Sequence, residues 1–200
     1  MIPLGQTEPD EANCNGFSLI ELLVVTGLSL IVIVIAGSVL VAGLRAQETS
    51  RTVTDAANTA QQIVRSIQTG IKNASAISIS NGATTGSQLL LSRTLSMDPT
   101  TTAPSCRAWY YSPSGGGNVY TTSTTPALAI FVPTGGPQGV WTLLGTGVSP
   151  ADPLTGKVFN SSGGDRVELN FDVAAGSHPY VLVHTVNYRS SSTIVSAPCF

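Results

Sequence analysis

Charge is scarce in this 200-residue chain. Asp, Glu, Lys and Arg make up 10% of it, against about 25% in an ordinary soluble domain. The nine basic residues are scattered from Arg45 to Arg189 without a cluster, which argues against a dedicated nucleic-acid surface. A formal net charge of -2 offers no attraction to a polyanion. Histidine occurs only at His178 and His184. No Gly-x-Ser-x-Gly, His-Glu-x-x-His or phosphate-loop string is present, so neither enzymatic activity nor a cofactor is expected. His178, standing before Pro179, reads as a turn residue, and His184 as a strand residue. The three cysteines, Cys14, Cys106 and Cys199, lack the short spacing of a zinc site. Proline is missing from Phe17 to Ala76, and the first one after Pro9 is Pro99.

What fills the proline-free region is apolar. From Leu22 to Leu44 runs a stretch of 23 residues with no charge. As a helix it would rise about 34 Å, enough to cross a hydrocarbon core of about 30 Å. Residues 1–16 before it are polar and carry Glu8, Asp10, Glu11, Pro3 and Pro9, the composition of a flexible leader. They make a poor Sec signal, because the apolar segment follows them and is too long for an ordinary h-region. Cys14 is no lipoprotein cysteine, since it precedes the apolar run instead of following it. If a membrane separates Cys14 from the other two, Cys106 and Cys199 face an oxidising exterior and are predicted to form a disulfide.

Beyond the apolar run the period changes. Val53, Ala56, Ala57, Ala60, Ile63, Val64, Ile67 and Ile71 recur at spacings of three and four, with Arg51, Asp55, Gln62, Arg65 and Lys72 between them. That is an amphipathic helix. One helix of about 55 residues is therefore expected, ending near Gly70–Ser75. From Ile77 onward, short apolar runs alternate with Ser, Thr, Gly and Pro. Candidate strands are Ser87–Ser92, Arg107–Ser112, Ala127–Val132, Gly139–Leu144, Arg166–Val173 and Tyr180–Arg189. In the fifth, Val167, Leu169, Phe171 and Val173 alternate with Glu168, Asn170 and Asp172, as a half-buried strand requires. Ala174-Ala175-Gly176-Ser177 would join it to an antiparallel neighbour. Thr94–Pro126, rich in Thr, Ser, Pro and Gly, reads as a long surface loop around the strand that carries Trp109 and Tyr110. Trp109, Tyr110 and Tyr111 form either an exposed binding surface or a packing surface for the long helix. Asn73-Ala74-Ser75 and Asn160-Ser161-Ser162 match a glycosylation pattern that also arises by chance.

The most informative string is Gly16-Phe17-Ser18-Leu19-Ile20-Glu21-Leu22-Leu23-Val24-Val25. A small residue closes the polar leader, an apolar residue opens a helix, and one carboxylate stands just inside an uncharged run. An ionised group at the bilayer centre costs roughly 2.5–3.5 kcal/mol on insertion scales, so Glu21 either lies at the interface or has a purpose. The string resembles the processing site of type IV prepilins and type II secretion pseudopilins. The resemblance implies cleavage between Gly16 and Phe17 by a membrane prepilin peptidase, methylation of the new Phe17 N-terminus, and an assembly role for Glu21. Two features depart from the family pattern. The leader has no Lys or Arg, so the positive-inside signal is weak, and the membrane segment lacks the midway proline of many major pilins, leaving Gly37 and Gly43 as its local weak points.

The expected fold is α+β and pilin-like, a long N-terminal helix packed on an antiparallel β-sheet head. Its parts would be a cleaved leader (1–16), a membrane and assembly helix (17–44), its amphipathic continuation (45–76) and a β-rich head (77–200). The resemblance implies a non-enzymatic fibre subunit of minor-pilin type. Its partners would be the prepilin peptidase, membrane lipid before assembly, and other pilin subunits through the N-terminal helix; no nucleic acid is indicated. It would sit in the cell membrane as a single-pass protein with a cytoplasmic leader, then in a surface fibre. The alternatives are a pseudopilin of a secretion or DNA-uptake machine and a membrane-anchored adhesin.

Overall fold

A computed structural model describes residues 18–82, 84–95, 104–132, 136–161, 166–176, 178–188 and 199. Its first element is one helix, α1 (Leu19–Lys72), of 54 residues. Glu21 stands in its first turn and Lys72 in its last, each sign matched to the helix dipole. The chain divides into two units between Gln47 and Glu48. In the first unit every helical residue up to Leu44 is exposed. α1 is long and apolar enough to cross a membrane.

In the second unit, Ala56, Ala60, Ile63, Ile67, Gly70 and Ile71 are the buried residues of α1, one stripe at helical spacing. Nine strands follow among the described residues. Five form an antiparallel sheet in sequence order: β1 (Ala74–Asn81), β2 (Gln88–Leu95), β3 (Pro104–Ser112), β4 (Asn118–Thr124) and β5 (Thr142–Thr146). The other four are β6 (Val148–Pro150), β7 (Phe159–Ser161), β8 (Arg166–Ala175) and β9 (His178–Tyr188). β8 is the spine of this second antiparallel sheet. β6 and β7 pair with successive stretches of it, and β9 pairs along nearly all of it.

The main core joins the helix stripe to both sheets. Leu90, Trp109, Tyr111 and Val119 come from the first sheet, and Phe159, Val167, Leu169, Phe171 and Val173 from the second. Each fully buried Ile or Leu stabilises the fold by about 1.5–3 kcal/mol relative to exposure. A second cluster covers the opposite face of the first sheet. There Leu89, Leu91, Cys106, Ala108 and Tyr110 lie under Ala127, Ile130, Trp141 and Cys199.

Several expectations need correction. Ala127–Val132 is not a strand. It is a cover segment: Ala127 donates its N–H to Pro104 O at 2.7 Å, Thr124 Oγ1 donates to Leu128 O at 3.1 Å, and Ile130 is buried while Phe131 faces out. Gly139–Leu144 gives way to β5, because Gly139 has φ +67° and turns the chain before Thr142. Thr94–Pro126 is not chiefly a loop, since it contains the whole of β3 and of β4, the middle of the first sheet. β8 runs on to Ala175, and His178 is the first residue of β9, paired with Ala175, not a turn residue. β1, β4, β6 and β7 matched no candidate strand. Arg189 lies outside the described residues.

Candidate functional site

α1 starts at its N-terminal edge with Ser18, whose carbonyl accepts N–H groups from Glu21 at 3.0 Å and Leu22 at 3.1 Å. Ser18 and Glu21 have the spacing of a capping box, a helix-start signal that the processing string overshadowed. Glu21 is exposed, as are Leu19 (87%), Leu23 (72%) and Val34 (70%). An apolar surface of this length suits lipid or neighbouring protein around it. Gly16, Phe17 and the leader, with Cys14, lie outside the described residues.

Cys106 and Cys199 are joined as a disulfide, with Cα atoms 5.6 Å apart and a sequence separation of 93. Both are buried in the cluster on the outer face of the first sheet. Cys106 sits in β3 between Arg93 of β2 and Thr124 of β4, so the bond fixes residue 199 to the central strands.

No known protein family, characterised protein or solved structure matches this chain.

The aromatic trio packs instead of forming a binding surface. Trp109 is fully buried against the helix. Its indole N–H donates to Ser66 Oγ at 2.9 Å, and a Cβ on Gly70 would collide with its ring. Arg107 lies 5.8 Å from the ring centroid on the same strand, within cation–π range. Tyr111 is buried in the main core, and burial pushes its phenol above the ordinary tyrosine value. Tyr110 points to the other face, where its ring meets Trp141 edge-on at 6.0 Å.

Gln88 was invisible to sequence reasoning. It is 3% exposed. Its Oε1 accepts the N–H groups of Val158 at 2.7 Å and Phe159 at 2.9 Å, and its Nε2 donates to Phe159 O at 2.9 Å. One side chain of the first sheet thereby mimics a strand partner for the second. Nothing in a Ser-Gln-Leu-Leu-Leu string signals this, because the partner lies 70 residues away.

Of the glycosylation triplets, Asn73 is exposed in the turn after α1, and Asn160 is half-buried in β7; Ser162 is outside the described residues. Among the described residues, no group of three or more His, Cys, Asp or Glu side chains converges on a metal position.

Proposed function

We propose that this chain is a non-enzymatic, type IV pilin-like subunit of minor-pilin type. A prepilin peptidase removes residues 1–16, the segment 17–44 holds the subunit in the membrane, and α1 then packs with the helices of other subunits in a surface fibre. The observation that carries this reading is the Gly16–Glu21 string set directly before an uncharged run within one unbroken helix. The same helix, further on, is one-sided and closes the core of an α+β head, which suits an element serving first as anchor and then as scaffold. The exposed apolar length from Leu19 to Leu44 supports lipid as its first environment and helices of other subunits as its second.

Intact-mass measurement on protein purified from its host tests the reading. The mature chain is expected to begin at Phe17 and to carry one added methyl group on its amino terminus. A mature protein that keeps residues 1–16, or one cut after Ala46, overturns it.

A further inference from the structure

An open cleft of about 420 Å³ lies on the head where three turns meet. Its walls come from the β1–β2 turn (Thr84), the β3–β4 turn (Ser114), the first residue of β4 (Asn118) and the segment at Gln138, with Tyr110 and Tyr120 among the lining residues. Tyr110 and Tyr120 are register partners on β3 and β4, so both rings lie on the outer face of the first sheet, Tyr110 buried beneath the cleft and Tyr120 half-buried at its wall. The volume is within the range of small-molecule sites, roughly 300–1,000 Å³.

The chemistry of the lining is uniform. Among the described residues that line it, none is charged, and the whole segment from Ala108 to Ala151 contains no Asp, Glu, Lys, Arg or His. A charged ligand entering here would lose hydration without meeting a counter-charge, which is costly. The polar groups present are hydroxyls and carboxamides, each able both to donate and to accept. Tyr110 Oη and Thr84 Oγ1 are 3.4 Å apart; Tyr110 is buried, so of the two it is the exposed Thr84 hydroxyl that keeps capacity for a ligand. Asn118 Nδ2 donates to Ser114 O at 3.0 Å, which positions that amide and leaves its carbonyl and second N–H for a ligand. The side chains of Ser114 and Gln138 are exposed. The half-buried Tyr120 adds an apolar ring face beside a polar tip.

We propose that this cleft binds a neutral carbohydrate. A pyranose offers hydroxyls that both donate and accept, together with a C–H face suited to an aromatic ring, and it carries no charge. A peptide fits less well, since extended peptides are held mainly by the open edge of a sheet, whereas β3 and β4 are interior strands. The proposal stands whether or not the chain enters a fibre.

The test uses the full-length chain in a zwitterionic detergent without a sugar headgroup. It is applied to an immobilised panel of neutral, sialylated and sulfated oligosaccharides and unrelated neutral peptides. Retention on neutral oligosaccharides, nearly unchanged between low and high salt, is expected. Gln138→Ala should weaken it about three- to tenfold, the worth of one or two hydrogen bonds. Ser114→Trp, at an exposed position, should block it. Thr155→Trp, in the neighbouring cleft that contains Lys157, should leave it unchanged. Retention of acidic sugars or peptides only, no retention at all, or retention indifferent to both Gln138→Ala and Ser114→Trp overturns the proposal. Circular dichroism of each variant separates occlusion from misfolding.

Discussion

The indole N–H of Trp109 in β3 donates to the hydroxyl of Ser66 in α1 at 2.9 Å, and the same ring fills the space that a side chain on Gly70 would need. Helix and sheet are thus keyed at two points one helical turn apart. Gly70→Ala gains up to about 1 kcal/mol of helix propensity but forces a methyl group into the ring, an overpacking cost of about 1–3 kcal/mol or more. Net destabilisation is expected. Ser66→Ala should cost about 1–3 kcal/mol, because it strands a buried donor. Urea unfolding of the full chain in detergent, followed by tryptophan fluorescence, measures both.

Gln88→Ala breaks three hydrogen bonds and leaves groups of Val158 and Phe159 unpartnered at the junction of the sheets, at a cost of about 2–4 kcal/mol. Gln88→Glu separates shape from charge. Its carboxylate can accept both N–H groups but faces the Phe159 carbonyl, while the protonated form can donate to that carbonyl as the amide does. Burial should raise its folded pKa, so the folded state binds the extra proton and stability should fall as pH rises. A variant equally stable at acid and neutral pH would contradict this.

Tyr111 predicts an alkaline limit. Its folded pKa is raised by burial, so at high pH the unfolded chain loses the proton first. The contribution is fully present below the ordinary tyrosine value of about 10 and is lost as pH climbs toward the folded value. Tyr111→Phe should therefore flatten the alkaline decline of the denaturation midpoint while leaving neutral-pH stability little changed.

Legibility in the sequence followed the range of the forces involved. The helix stripe was readable because Ala56, Ala60, Ile63, Ile67 and Ile71 repeat locally, and all five are buried. β8 was readable because Val167, Leu169, Phe171 and Val173 alternate, and each is at most 1% exposed. β4 was not readable: its Asn-Val-Tyr-Thr-Thr-Ser-Thr string resembles a loop. Its threonines find partners only after folding, Thr121 on Ala108 O and Thr122 on Val140 O, both at 3.0 Å. Ala127–Val132 misled in the opposite way, since an apolar run can serve as a cover as well as a strand. Of the candidate site, the position of Glu21 and the Cys106–Cys199 pair were visible beforehand, whereas Gln88 and the cleft depend on turns distant in sequence.

Removing the disulfide by Cys106→Ser with Cys199→Ser should lower stability by about 4–5 kcal/mol in the chain-entropy account. Both sulfurs are buried, so reductant added to the native chain should act slowly until denaturant is supplied. Peptide mapping without reduction, and thiol counting with and without urea, check both statements.

Glu21 should matter after cleavage more than before it. On the proposed reading, removal of the leader would create an ammonium at Phe17. In a bundle of apolar helices, either charge left alone is expensive, on the order of 3–5 kcal/mol. Glu21→Ala and Glu21→Gln are expected to insert and be processed normally yet to enter fibres poorly. The ratio of processed subunit in sheared fibres to that in membranes measures the effect, and normal incorporation of both variants would reduce Glu21 to an interfacial residue.

The Cys106–Cys199 bond also decides which parts of the molecule can feel tension. It closes the intervening chain into a covalent ring that holds β4, β5 and the entire second sheet. A pull between the two chain ends passes through the sulfur bridge and never reaches those strands. With a separation of 93 residues, the ring withholds roughly 300 Å of extended chain. Only α1, β1, β2 and the start of β3 lie in the path of the load. The head therefore has a sacrificial front and a sheltered back: stretched in the oxidised state, it lengthens only by the chain ahead of Cys106, and the strands behind the bridge remain threaded together for recoil.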